Sequence, residues 1–123
     1  GYLDLQAVEI SPEAVSVLRA NVPELRDVQI FQGPADRELE NLAESSVDII
    51  FSMAVLQHIH DKKIKSVTSQ MARVASKFII CHECETCLSW RHFPRSYKSL
   101  FKKLGYKHLG KVNHMRIFQK NSI

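Results

Sequence analysis

Two hydrophobic rhythms alternate along the chain. Short runs rich in β-branched residues predict strands, and apolar residues at steps of three and four predict helices. The run Val47 to Phe51 heads the stretch Ser46 to Asp61. A continuous apolar run of this kind predicts a strand buried on both faces, as in a parallel sheet covered by helices. At Ser52-Met53 it opens into a short helical segment. In open α/β sheets, ligands sit outside the carboxyl ends of strands, so a site is expected first between Ser52 and His60.

Before that stretch, Leu3, Leu5, Ala7, Val8 and Ile10 predict a strand that ends at Glu9-Ile10. Ser11-Pro12-Glu13 is a helix start: a Ser N-cap, Pro at the first helical position and an acid in the first turn. Val15, Leu18 and Val22 then share one helical face, and Asn21 and Pro23 end it. Val28 to Gln32 predicts a second strand, stopped by Gly33-Pro34, and Arg37 to Leu42 a short helix with Leu39 and Leu42 inward. After Asp61, the spacing of Ile64, Val67, Met71 and Val74 predicts a helix over Lys62 to Ala75. Lys77 to Cys81 predicts a fourth strand, followed by a loop from His82 to Arg95.

Tyr97, Leu100, Phe101 and Leu104 mark a last helix, closed by Gly105 in the left-handed conformation. Tyr106 to Val112 and Met115 to Gln119 then form an antiparallel hairpin around Asn113-His114. Strands and helices alternate up to this hairpin. The fold class is therefore α/β: three layers, a mostly parallel sheet and an antiparallel C-terminal hairpin, in a single domain over residues 1–123.

Composition narrows the class. The 123 residues are 45% hydrophobic and 24% charged, which is ordinary for a globular domain able to bury a core unaided. No apolar run reaches the length of a membrane helix, and no signal peptide is expected. Three clustered cysteines are an odd number and argue against a secreted disulfide framework, so the expected compartment is the cytoplasm. The net charge of +4 permits anionic partners without requiring them.

Glu9 stands at a strand's carboxyl end just before a helix cap. A carboxylate there can accept hydrogen bonds from both hydroxyls of a ribose, or simply be solvated. Gly33 permits close backbone approach to a flat ligand, and Asp36 is either a contact there or the cap of the next helix.

Val8-Glu9-Ile10-Ser11-Pro12-Glu13-Ala14 resembles the acidic strand-end motif of the Rossmann-like, class I S-adenosylmethionine-dependent methyltransferases. Gln32-Gly33-Pro34-Ala35-Asp36 stands where that family has its Gly-Asp-Ala loop at the adenine. Val47 to Ile59 is similar to its segment Phe-Asp-X-Val-X-Ser-X-X-Val-Leu-His-His, and Leu104-Gly105-Tyr106 to the end of a Phe-X-X-X-Gly-Phe helix. The four motifs come in order across nearly the whole chain.

The resemblance implies S-adenosylmethionine as cofactor and a small molecule as methyl acceptor. It implies that Glu9 binds the ribose and that Ile10 packs on the adenine. It also places Ala35 and Asp36 near the adenine amino group, Ser52 and Met53 beside the methionine part, and His58 at the pocket mouth as a candidate general base. Pro34 replaces the usual acid of the adenine loop.

The family's first strand and Gly-X-Gly-X-Gly loop have no counterpart among the four glycines, Gly1, Gly33, Gly105 and Gly110. The expectation is a methyltransferase fold truncated at its N-terminus, by which an open inner strand edge invites dimerisation. A non-catalytic module that dimerises through this sheet is one alternative function.

Cys81, Cys84 and Cys87 have C-x2-C-x2-C spacing but lack a fourth cysteine, so no metal site is predicted. His58 and His60 are two apart and do not share a helix face. The basic C-terminal third, with Trp90, Phe93, Tyr97, Phe101 and Tyr106 interleaved, suits RNA or single-stranded DNA, which makes a basic RNA/DNA-binding domain a further alternative function. A solvated lysine face over an aromatic core is favoured instead.

Overall fold

The computed structural model describes residues 4–122, which leaves Leu3, placed above in the first strand, outside the description. The chain forms two compact units, one up to Asn41 and one from Leu42 onward.

The first unit runs β1 (Gln6–Glu9), α1 (Pro12–Asn21), a 3-10 turn, β2 (Gln29–Gln32) and α2 (Ala35–Glu40). The two strands pair in parallel, with Glu9 opposite Gln32. The cap signal of α1 holds: the Ser11 hydroxyl accepts from Ala14 N at 3.2 Å, with Pro12 at the first position. Val15, Leu18 and Val22 are half-buried rather than core. At α2 the position of Asp36 differs from the capping alternative. Pro34 occupies the cap position and Asp36 lies in the first turn, where its charge favours the helix dipole.

The second unit runs β3 (Val47–Met53), a 3-10 turn (Leu56–His58), α3 (Asp61–Val74), β4 (Ala75–His82), α4 (Tyr97–Lys103), β5 (Tyr106–Val112) and β6 (Met115–Lys120). Its sheet has the order β3-β4-β6-β5. β3 and β4 are parallel, while β4–β6 and β6–β5 are antiparallel. The hairpin thus enters the sheet with its second strand inward. Gly105 takes φ +89° after α4, and Asn113 takes φ 54° in the hairpin turn.

The core of this unit is one face of the sheet. Ile79, Cys81, Tyr106 and Phe118 are buried there. From α4, Phe101 packs on Phe118 and Tyr106 at ring distances of 5.0 and 6.2 Å. The Tyr106 hydroxyl donates to Ala72 O at 3.0 Å and so ties β5 to the end of α3. Ile64, Val67, Met71 and Val74 are all buried, as their spacing requires.

The strand expected to be buried on both faces is not. β3 is an edge strand of its sheet, and Phe51 is 60% exposed. Apolar content reports that a strand is core-forming but not how many of its faces are covered.

Candidate functional site

In the first unit, the chain turns sharply from β1 into α1. Ser11 N–H donates to Glu9 Oε1 at 3.0 Å, so one carboxylate oxygen is held by the backbone. Among the described residues no group donates to the other, Oε2. Next to it Ile10 is 65% exposed, an apolar side chain at the strand's carboxyl end. Gly33 N–H donates to Glu9 O at 2.9 Å, which brings the loop after β2 alongside. Gly33 is buried with φ +158°, and a Cβ there would collide with the Glu38 and Arg37 side chains. Ala35 and Asp36 are half-buried at the start of α2. Four predicted residues, Glu9, Ile10, Ala35 and Asp36, therefore lie at the carboxyl ends of two paired parallel strands.

These residues fit the nucleoside end of S-adenosylmethionine. A fixed carboxylate with an open oxygen suits ribose hydroxyls, and an exposed aliphatic side chain suits a flat base. The family's cradle for the methionine end is a glycine-rich loop, which these 123 residues lack.

In the second unit, the chain leaves β3 through Ala54, a non-glycine residue at φ 54°. Ser52 is buried, opposite Cys81 in the β3–β4 register, while Met53 is 58% exposed. Ser52 Oγ is buried with no hydrogen-bond partner within the ordinary limits, although it lies near enough to the Cys81 thiol to act on it. Burial pushes the Cys81 thiol up to about 12, against a smaller opposing pull from the Ser52 hydroxyl, so this cysteine is inert at neutral pH.

The turn after β3 is gripped from two sides. Glu83, 1% exposed, accepts from Val55 N at 2.8 Å and Gln57 N at 3.1 Å through one oxygen. Arg95 donates to Leu56 O at 2.7 Å, to Ile59 O at 2.6 Å and to Asp61 Oδ1 at 2.8 Å. Neither residue was singled out from the sequence. A lone acid after an apolar strand and a lone Arg in a loop carry no local pattern.

His58 sits in a defined relay. Its Nδ1–H donates to Arg91 O at 2.7 Å. Gln57 Oε1 accepts from Cys84 N at 2.7 Å, which turns the Gln57 amide nitrogen toward His58 Nε2, 3.3 Å away. The carbonyl of Arg91 accepts only, so the proton is on Nδ1 and the lone pair on Nε2. His60 caps α3 by accepting from Lys62 N, a structural role. Cys84 and Cys87 form a disulfide, which joins two of the three thiols weighed above as metal ligands.

The C-terminal basic residues gather as well. Lys98, Lys102 and Lys107 line a hollow of about 360 Å³ with His108. His108 is held below its usual value by burial and by the nearby Arg116 and Lys98 charges.

Comparison with known proteins bears on both units. No curated protein matches the chain. Among solved structures, the magnesium protoporphyrin IX methyltransferase of Synechocystis PCC 6803 with bound SAH is similar at TM-score 0.69 and 13% identity. The match covers 94% of this chain and 64% of that one. The same enzyme with bound SAM gives 0.63 and 14%, with 94% and 59% covered. A protein of Pyrococcus horikoshii OT3 gives 0.74 and 12%, with 94% and 71% covered. The chain thus spans less than two thirds of the Synechocystis enzyme. At such identities the likeness is one of fold, and that fold is the α/β class I methyltransferase fold. The family model described as a methyltransferase domain matches residues 1–77, more than half of the sequence, and the chain belongs to that family.

Proposed function

We propose that this chain takes part in S-adenosylmethionine-dependent methyl transfer to a small molecule. The observation that carries the reading is the Glu9 carboxylate, with one oxygen pinned by Ser11 N–H and the other open beside exposed Ile10. Bound, the cofactor supplies an activated methyl group on a sulfonium. Glu9 holds the ribose, Ile10 and Ala35 flank the base, and Asp36 approaches its amino group.

His58 is assigned as the base. The Arg91 contact on the opposite ring nitrogen leaves the lone pair on Nε2, where the Gln57 amide donates; an acceptor that displaces that amide would give its proton to Nε2. Methyl transfer depends chiefly on positioning, and the grip on the turn by Glu83 and Arg95 supplies that for His58. The Cys84–Cys87 disulfide does not support a cytoplasmic location, which rests on the sequence and remains part of this reading. Calorimetric titration with S-adenosylmethionine tests it. Saturable binding is expected, and an absence of binding would remove the enzymatic role from this chain.

A second reading is favoured by one observation. β3 is an edge strand carrying exposed Phe51, Met53 and Val55 on or beside it. Such an edge suits a second copy of the chain. Sedimentation equilibrium should then show a dimer that Phe51→Glu dissociates, whereas a monomer at every concentration discards it.

A further inference from the structure

A cleft of about 460 Å³ in the second unit is lined by His58, His60, Trp90, Arg91 and Phe93. Its lining offers four aromatic rings and one guanidinium, and no carboxylate. Trp90 is 80% exposed, a large apolar ring left to solvent. The Arg91 guanidinium carbon lies 4.2 Å from the centre of that ring. No carboxylate pairs with Arg91 among the described residues, although Arg95, four residues on, has Asp61.

The cleft is built rather than incidental. Ser89 and His92 bridge across the turn that carries Trp90 and Arg91. Ser89 Oγ lies 2.8 Å from His92 Nδ1 and accepts from Arg91 N at 3.1 Å. Two further bonds fasten this turn to the one after β3: His58 Nδ1 to Arg91 O, and Phe93 N to Gln57 O at 2.9 Å. Phe93 in turn packs edge-on against His60 at 5.1 Å. The turn's backbone and the Phe93 ring are therefore set in place without a ligand, and the Trp90 ring and Arg91 guanidinium stand over them stacked on each other.

We infer that this cleft receives a planar aromatic carboxylate that also carries a phenolic hydroxyl, as the methyl acceptor: the hydroxyl oxygen would gain the methyl as the sulfonium C–S bond breaks to leave a neutral thioether, and its proton would pass to His58. The inference rests on the methyltransferase reading and adds the substrate class. The ring packs against Phe93 and the part of Trp90 that the Arg91 guanidinium leaves open, where aromatic contacts add to area burial. The anionic group meets Arg91, which stays charged at every working pH and pairs with planar oxyanions in a fork. An aliphatic acid lacks the first contact and a neutral aromatic lacks the second.

Trp90 is the only tryptophan of the chain, so its fluorescence reports on the cleft alone. The protein is titrated, without cofactor, with 4-hydroxybenzoate, cyclohexanecarboxylate and 4-hydroxybenzyl alcohol. Saturable quenching by 4-hydroxybenzoate is expected, about tenfold tighter than the change produced by either other probe. Arg91→Gln, an exposed position, should weaken 4-hydroxybenzoate about tenfold with an unchanged circular dichroism spectrum. Calorimetry on the same samples guards against optical artefacts. Equal affinity for the three probes, no saturation, or indifference to Arg91→Gln overturns the inference. A protein that binds S-adenosylmethionine but none of the probes loses this inference alone. One that binds 4-hydroxybenzoate but not S-adenosylmethionine loses the proposed function and keeps an aromatic-anion site.

Discussion

Glu83 and Arg95 hold one turn of backbone by its two kinds of polar group: the carboxylate takes the amides of Val55 and Gln57, and the guanidinium takes the carbonyls of Leu56 and Ile59. A 3-10 turn alone satisfies few of its own groups. Here the remainder are met by charged side chains from just past β4 and from the segment before α4, which places Gln57 against Phe93 and His58 against Arg91.

This pair yields the first prediction. Glu83→Ala strips acceptors from two amides and should cost roughly 3 kcal/mol in urea unfolding. Arg95→Lys loses the fork geometry and should cost roughly 1–2 kcal/mol. Because both residues grip one turn, the double variant should fall short of the sum by more than about 0.5 kcal/mol. Strict additivity would show that they act separately.

Ala54 turns the chain out of β3 at φ 54°, where a Cβ is unfavourable by about 1–2 kcal/mol. Ala54→Gly removes that strain and adds chain entropy to the unfolded state. The expected result is a small gain, up to about 1 kcal/mol, whereas Ala54→Val should lose more than that. Both are read from the urea midpoint at constant slope.

Alkaline pH should unfold this protein early. Burial raises the Cys81 thiol from 9.0 to about 12 and the Tyr106 hydroxyl from 10.0 to about 12, and it raises Tyr97 further. Each is protonated in the folded state where the unfolded chain has already ionised. The stability from these groups is complete below pH 9 and is lost as pH climbs toward 12. The slope is about 1.4 kcal/mol per pH unit for each group. Tyr106→Phe, which also loses the bond to Ala72 O, should be less stable at neutral pH yet show a shallower alkaline decline. An unchanged decline would assign it to other groups.

Much of this was legible in the residues because the signals were local. Ser11-Pro12-Glu13 started a helix, Gly105 ended one, and the steps from Ile64 to Val74 named a buried face. The order of strands and helices followed from the alternation of periods. What escaped was set by non-local pairing. Phe51 is exposed because it points to the face of β3 opposite buried Ser52, and no strand's own composition records which face is covered. Glu83 and Arg95 act on backbone 26 to 39 residues away in sequence. Cys84 and Cys87, weighed as metal ligands, are joined to each other across a three-residue separation. Glu9 was legible as a site residue, but its fixed oxygen required the Ser11 contact to be seen.

The most direct test of the methyltransferase reading uses the part of the cofactor that these residues fit. S-adenosylmethionine is titrated calorimetrically into the protein and into Glu9→Ala, and the titration is repeated in the presence of adenosine. The account predicts saturable binding, competition by adenosine, and at least tenfold weakening in Glu9→Ala, a loss of about 1.4 kcal/mol or more. Binding that ignores both adenosine and Glu9→Ala, or no binding at all, would contradict it.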